Sequence, residues 1–396
     1  MNSRQVYLDW LRIFAIIGML FFHSAMAFVA EEGWHIKNKD TSNLLLEFNF
    51  WLSRFRMPLL FFISGAVAWW IMESKTVSSF IGLRFRRLFL PLVFGILVVV
   101  PPQIYMERLT QGFKGNFWDF YPTMFSGNVY PKGNISWHHL WFVAYLFVYD
   151  VMLAPFFGWC KRPAGKRFLQ KLNWFASGLR IYWLTVPVIV LFSLYCIDYP
   201  QTHDLIHDPC YFVYWLFFLL VGYLCMANPV LLGSLERNRR LSLTLAFLSI
   251  VSINYLRWNE LEPFDLLPGW RADVRTYLYL ALYPFTAWTW VFAIIGYGKR
   301  YLNKPNAALN YLNEAAYPFY ILHQTVIIVI VYYVVQTTDT IGSKFLFTSF
   351  VSLLICMLIY HTLIRPFGWM RFLFGMKPQK LSSKEPVQTR QLAEAD

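Results

Sequence analysis

Ten times along this chain a run of roughly 16 to 21 mostly apolar residues recurs, close to the ~20 needed to cross the hydrocarbon core of a bilayer as a helix. The runs fall at 9–29, 52–72, 88–105, 140–158, 181–198, 211–226, 241–256, 276–296, 316–336 and 344–364. The sixth and seventh are short and read as tilted or partly re-entrant. Inside lipid every backbone N–H and C=O must be satisfied within the segment, so the runs predict helices and an all-α, polytopic membrane fold.

Composition agrees. Charged residues make up 14% of the 396 positions, against about a quarter in soluble domains. Aromatics reach 20%, as expected where Trp and Tyr gather at two membrane interfaces. No fixed-period repeat is visible, and no segment is large enough for a separate soluble domain. One membrane domain is therefore expected over residues 1–376, followed by a polar tail at 377–396 that reads as disordered.

Lys and Arg then orient the helices. They crowd alternate connections: Lys75, Arg84, Arg86 and Arg87; Lys161, Arg162, Lys166 and Arg167; Arg237, Arg239 and Arg240; Lys299 and Arg300; and the tail from Arg365. They thin out in the connections between. Ten spans with both termini cytoplasmic satisfy the positive-inside rule, and one helix more or fewer would spoil the alternation. Residues 1–27 also resemble a signal peptide ending at Ala25-Met26-Ala27. Asp9 in the would-be basic region and His23 in the small-residue end speak against cleavage.

The net charge of +13 follows from those loops; no basic stripe interleaved with aromatics suggests nucleic acid. The five cysteines are scattered and form no CxxC. They imply neither a disulfide framework nor a zinc site. No HExxH occurs, so no metal is expected, and no GxSxG elbow suggests a covalent serine.

Ionisable groups at membrane depth are costly and need a reason. Helix one, LDWLRIFAIIGMLFFH, carries Arg12 and, eleven positions on, His23. Eleven residues are three turns and a rise of about 16 Å, so the two share a face at different depths. Arg12 also suits snorkelling, and His23 a plain interhelical hydrogen bond. RFRMPLLFFISG (54–65) puts Arg54 and Arg56 at the outer mouth and Ser64-Gly65 inside, a pair that permits close helix packing. RFRRLFLP (84–91) places Arg84 and Arg87 three apart at the inner boundary, as topology alone would, or as a phosphate clamp. His138, His139 and Trp141 open helix four. Asp150, about 15 Å further along, lies near the midplane and could orient an imidazole or neutralise an arginine. His323 reads as lying about two turns above the inner surface. By depth, Arg12, Arg84, Arg87 and His323 form a basic inner vestibule; His23, Arg54, Arg56, His138 and His139 form an imidazole-rich outer pocket.

On these residues the chain resembles the integral-membrane acyltransferase-3 family. The resemblance rests on Arg12 with His23, on F-x-x-S-G ending at Gly65, and on Arg84-x-x-Arg87 before Pro91. HLWF (139–142) and YILHQ (320–324) complete it, and the ordered set covers most of the chain. GWHIKN (33–38) and the SRFRMPLLFFISG segment are similar to the branch that succinylates osmoregulated periplasmic glucans. The resemblance implies ten helices in a bacterial inner membrane, no cofactor, and acyl-coenzyme A as a donor arriving from the cytoplasm. It implies an acceptor hydroxyl on a glycan or other molecule at the outer face. It also implies His23 as the catalytic base, Arg12 and the Arg84/Arg87 pair contacting the donor, and Trp141 lining the site; Arg12 is counted with His23 as catalytic, and by depth His323 joins the donor side and His139 the acceptor side. Asp150 falls on the pocket side, and Arg56 or Ser64 is expected to stabilise the oxyanion. The rival expectation is a transporter or flippase of a glycan or anion, in which the same charges line a permeation path. The oligomeric state is not legible.

Overall fold

The computed structural model describes residues 5–30 and 33–378; Arg4 and residues 379–396 of the expected tail lie outside the described residues. Among the described residues, nine of the expected runs form helices long and apolar enough to cross a membrane: α1 (Val6–Phe28), α2 (Asn43–Glu73), α3 (Val77–Thr110), α4 (His138–Cys160), α6 (Pro209–Ala227), α7 (Arg239–Leu266), α8 (Val274–Tyr301), α9 (Ala307–Val334) and α10 (Ile341–Ile364). The fifth, α5 (Val186–Tyr195), is the short one. This corrects the expectation that the sixth and seventh would be short. Pro187 starts α5 late, and the residues before it, Arg180–Leu184, wind as a tighter 3₁₀ turn. Its two ends still reach opposite ends of the bundle. On one, Asn238 donates to the Gly178 carbonyl at 2.9 Å; on the other, Arg271 pairs with Asp198 at 3.1 Å.

α1 is the buried axis, packed against α9, α8, α2 and α10, while α7 and α10 present most of their surface outward. Without a hydrophobic force between helices in lipid, close packing depends on small residues. Gly65 of α2 and Gly222 of α6 supply it reciprocally. A Cβ on Gly65 would lie 1.9 Å from the Leu219 carbonyl oxygen, and one on Gly222 2.0 Å from that of Phe62. The packing role expected of Ser64-Gly65 is thus borne out at the glycine.

α3 is longer than its apolar run because prolines bend it rather than end it. Pro91 and Pro101 lack the N–H that would bond the carbonyls of Arg87 and Leu97. The helix widens into π-turns at Phe85–Phe89 and Gly95–Val99. The Leu97 carbonyl accepts from Tyr121 Oη at 3.0 Å, and the Val99 carbonyl from Thr325 Oγ1 at 2.7 Å. Carried past Pro101-Pro102, the helix runs on to Thr110 and delivers Glu107 into the interior, 3% exposed.

A histidine-lined cavity as candidate active site

A cavity of about 1030 Å³ opens between the α1–α2, α3–α4 and α5–α6 connections. Six of the chain's eight histidines line it: His23, His35, His138, His139, His203 and His207. Trp34, Arg54, Arg56, Trp141, Trp215, Tyr320 and Gln324 are among the other walls.

The hydrogen bonds around His23 set its tautomer. His323 Nδ1 lies 2.6 Å from the Tyr320 carbonyl oxygen, which only accepts, so that nitrogen carries the proton. In a neutral ring Nε2 is then bare. His23 Nδ1 sits 2.9 Å from it and must donate. His23 is left with an unprotonated Nε2, the form a general base requires. Trp34 stacks on the His23 ring at 5.5 Å, holding its plane. A neutral His139 is bare at Nδ1 by the same logic, since its Nε2 donates to the Ile321 carbonyl at 2.9 Å. Among the described residues, lining side chains with a buried polar atom that has no protein partner include His139 at Nδ1, His138 at Nε2, and Trp34 and Trp215 at the indole N–H.

The resulting map corrects three expectations. His323 does not belong with the inner arginines: it touches His23 and lies 5.2 Å, ring to ring, from His139. The register of α9, read from a hydrophobic run that begins later than the helix, set it too deep. Asp150 does not line the cavity. It is fully buried beside Arg84, with Arg84 Nε 2.8 Å from Asp150 Oδ2, so its partner is the arginine. Ser64 donates its hydroxyl to the Leu60 carbonyl of its own helix at 2.7 Å and has no proton to offer a ligand.

The others fall where expected. Arg54 and Arg56 line the cavity, Arg56 lying 3.5 Å over the Phe22 ring, and Trp141 carries His203 against its face at 4.3 Å. Arg12 and His23 do share a face, for both meet α9: Arg12 bonds the Asn313 side chain and carbonyl, and His23 bonds His323. Arg87 is half-buried one turn beyond Arg84.

A second arrangement was not expected. His35 Nδ1 is bonded to Glu107 Oε2, while Glu107 Oε1 accepts from Tyr130 Oη at 3.0 Å and Gln111 Nε2 at 3.1 Å. The only sequence signal was His35 inside GWHIKN; Glu107 lies just past the apolar run 88–105 and drew no attention. On the α5–α6 connection, His203 is pushed down to about 4 by burial and then by Arg56, and so is neutral near pH 7. Among the described residues no three His, Cys, Asp or Glu side chains converge as a metal site.

Residues 5–361 match a family model described as an acyltransferase domain. Relatives of similar sequence include glucans biosynthesis protein C of Salmonella paratyphi B, of Salmonella dublin and of Salmonella enteritidis PT4. Each is 22% identical over 397 residues, covering 95% of this chain and 95% of the relative. No solved structure matches the chain. With that match running from the start of α1 almost to the end of α10, the chain belongs to the acyltransferase-3 family and is a multi-pass membrane acyltransferase.

Proposed function

We propose that this protein moves an acyl group, of acetyl or succinyl type, from acyl-coenzyme A to a hydroxyl of a glycan held in the histidine-lined cavity, with His23 as general base. The observation that carries this reading is the chain from the Tyr320 carbonyl through His323 to His23, which leaves His23 Nε2 bare on the cavity wall.

In the proposed step the acceptor hydroxyl gives its proton to His23 Nε2 as its oxygen attacks the thioester carbonyl. The new C–O bond forms, the C–S bond breaks, and coenzyme A leaves as the thiolate. Such a base contributes about 10²- to 10⁴-fold. His323 acts through His23 as a positioning residue. Arg56, on the cavity wall, is the remaining candidate for the oxyanion now that the Ser64 hydroxyl is committed.

The donor enters from the opposite, basic end, where Arg12 and Arg87 meet its phosphates beside the Arg84–Asp150 pair. The positive-inside rule supports a cytoplasmic position for that end and for both termini, and an outer-face position for the cavity. The names of the relatives favour a glucan as acceptor, and their bacterial source favours the inner membrane.

The test is purified His23→Ala in a thiol-release assay with acyl-coenzyme A and a glucan oligosaccharide. A loss of about 10²- to 10⁴-fold with normal folding is expected; undiminished transfer contradicts the role of His23.

A further inference from the structure

A second imidazole in the cavity is held by a carboxylate rather than by another histidine. His35 comes from the α1–α2 connection and Glu107 from the end of α3, 72 residues apart in sequence. A carboxylate only accepts, so His35 Nδ1 carries a proton and Nε2 is the atom left for other partners. Glu107 itself is 3% exposed and fully engaged by His35, Tyr130 and Gln111, with Arg108 3.9 Å away. It is a fixed anchor, not a ligand contact. At the tip, His35 Nε2 faces Gln324 at a loose 3.4 Å, and the His138 ring meets His35 edge-on at 4.6 Å. His138 sits at φ 40°, in the left-handed region that a residue with a Cβ enters at a cost. Its Nε2 is buried without a protein partner. Trp34 lies between the two imidazoles, flat on His23 and edge-on to His35 at 5.1 Å.

We infer that His35, positioned by Glu107, binds a second hydroxyl of the acceptor, so that the cavity selects a polyhydroxylated molecule presenting two hydroxyls together. A hydroxyl fits this atom in either state of the ring: it donates to a bare Nε2 and accepts from a protonated one. Trp34, half-buried on the cavity wall between the two imidazoles, fixes their separation through its contacts with both rings. The inference rests on the acyl-transfer reading of the cavity and deepens it, since the reacting hydroxyl goes to His23 and its neighbour to His35.

The experiment measures transfer from acyl-coenzyme A to a glucan oligosaccharide and to the same oligosaccharide lacking single hydroxyls, using wild type, His35→Ala, His35→Gln and Glu107→Gln. For wild type, one deoxy acceptor should lose roughly 10- to 100-fold in kcat/KM, the cost of leaving one hydrogen-bonding group of the site unpaired. His35→Ala should raise the acceptor's KM by a similar factor, leave the donor's KM in place, and show no further penalty with that deoxy acceptor. His35→Gln, which keeps a hydrogen-bonding tip, should recover part of the loss and guards against misfolding of the alanine variant. Glu107→Gln should give a smaller rise in the same KM. The inference is overturned if the deoxy penalty is as large in His35→Ala as in wild type. A fall in kcat alone, or equal wild-type activity with a simple monohydric alcohol, also overturns it. Failure of the underlying reading is separate, because it would appear as full activity in His23→Ala.

Discussion

Around His23 the protein leaves polar atoms uncommitted: the bare Nε2 of His23 on the cavity wall and, buried behind the lining, His139 Nδ1 and the indole N–H of Trp215. Around the opposite ends of the same helices the charges are spent on one another. Arg84 pairs with Asp150, Arg371 and Arg365 with Glu314, and Lys299 with Glu236. A ligand that bonds His23 Nε2 gains a hydrogen bond without displacing a protein one. At the basic end, phosphate binding by Arg84 would mean exchanging a buried carboxylate. On the proposed reading the difference separates two jobs carried by the same residue types: recognition and chemistry at one end, structural integrity and docking at the other.

The comparison breaks most visibly at Asp150. Removing it strands the Arg84 charge among Phe80 and its neighbours, and Asp150→Ala should cost roughly 3–5 kcal/mol of stability. Thermal unfolding in detergent or lipid measures this, and Asp150→Leu with Arg84→Met should restore much of it. If Asp150→Ala left stability intact while abolishing transfer, the basic end would be chemical after all.

A smaller effect sharpens the cavity side. His203 takes up its proton near pH 6.5 when unfolded but only near 4 when folded. The unfolded chain therefore binds more protons in that window, and stability falls as pH drops from about 6.5 toward 4. His203→Gln should reduce the drop in melting temperature between about pH 7 and about pH 5. An unchanged drop would mean that other groups carry it.

Smallest of all is Ser64→Ala. Its hydroxyl is returned to the Leu60 carbonyl, so transfer should change by less than about twofold. A large loss would restore Ser64 as an oxyanion donor.

The helical class and nine of the ten spans were legible because lipid demands length and apolarity, and both are written in the residues. The shared face of Arg12 and His23 was legible because helical periodicity is rigid. Depth was not. His323 was set too low because α9 begins at Ala307, nine residues before its apolar run. Pairing across helices was legible only as a set of possibilities, since the sequence gives Asp150 a depth but not a neighbour. The His35–Glu107 contact escaped because the apolar run stops at 105, whereas the helix of α3 runs on to Thr110 and carries Glu107 inward. The second imidazole therefore had no visible partner until the fold supplied one.

The most direct probe of the arrangement is the protonation of His23 itself. Solid-state NMR of protein labelled with nitrogen-15 histidine in lipid, assigned by comparison with His23→Gln, distinguishes the two ring nitrogens. The account predicts a protonated Nδ1 bonded to His323 and an unprotonated Nε2 near neutral pH. A proton on Nε2 with Nδ1 bare would contradict it, since the cavity would then face a ring with no lone pair to accept the hydroxyl's proton.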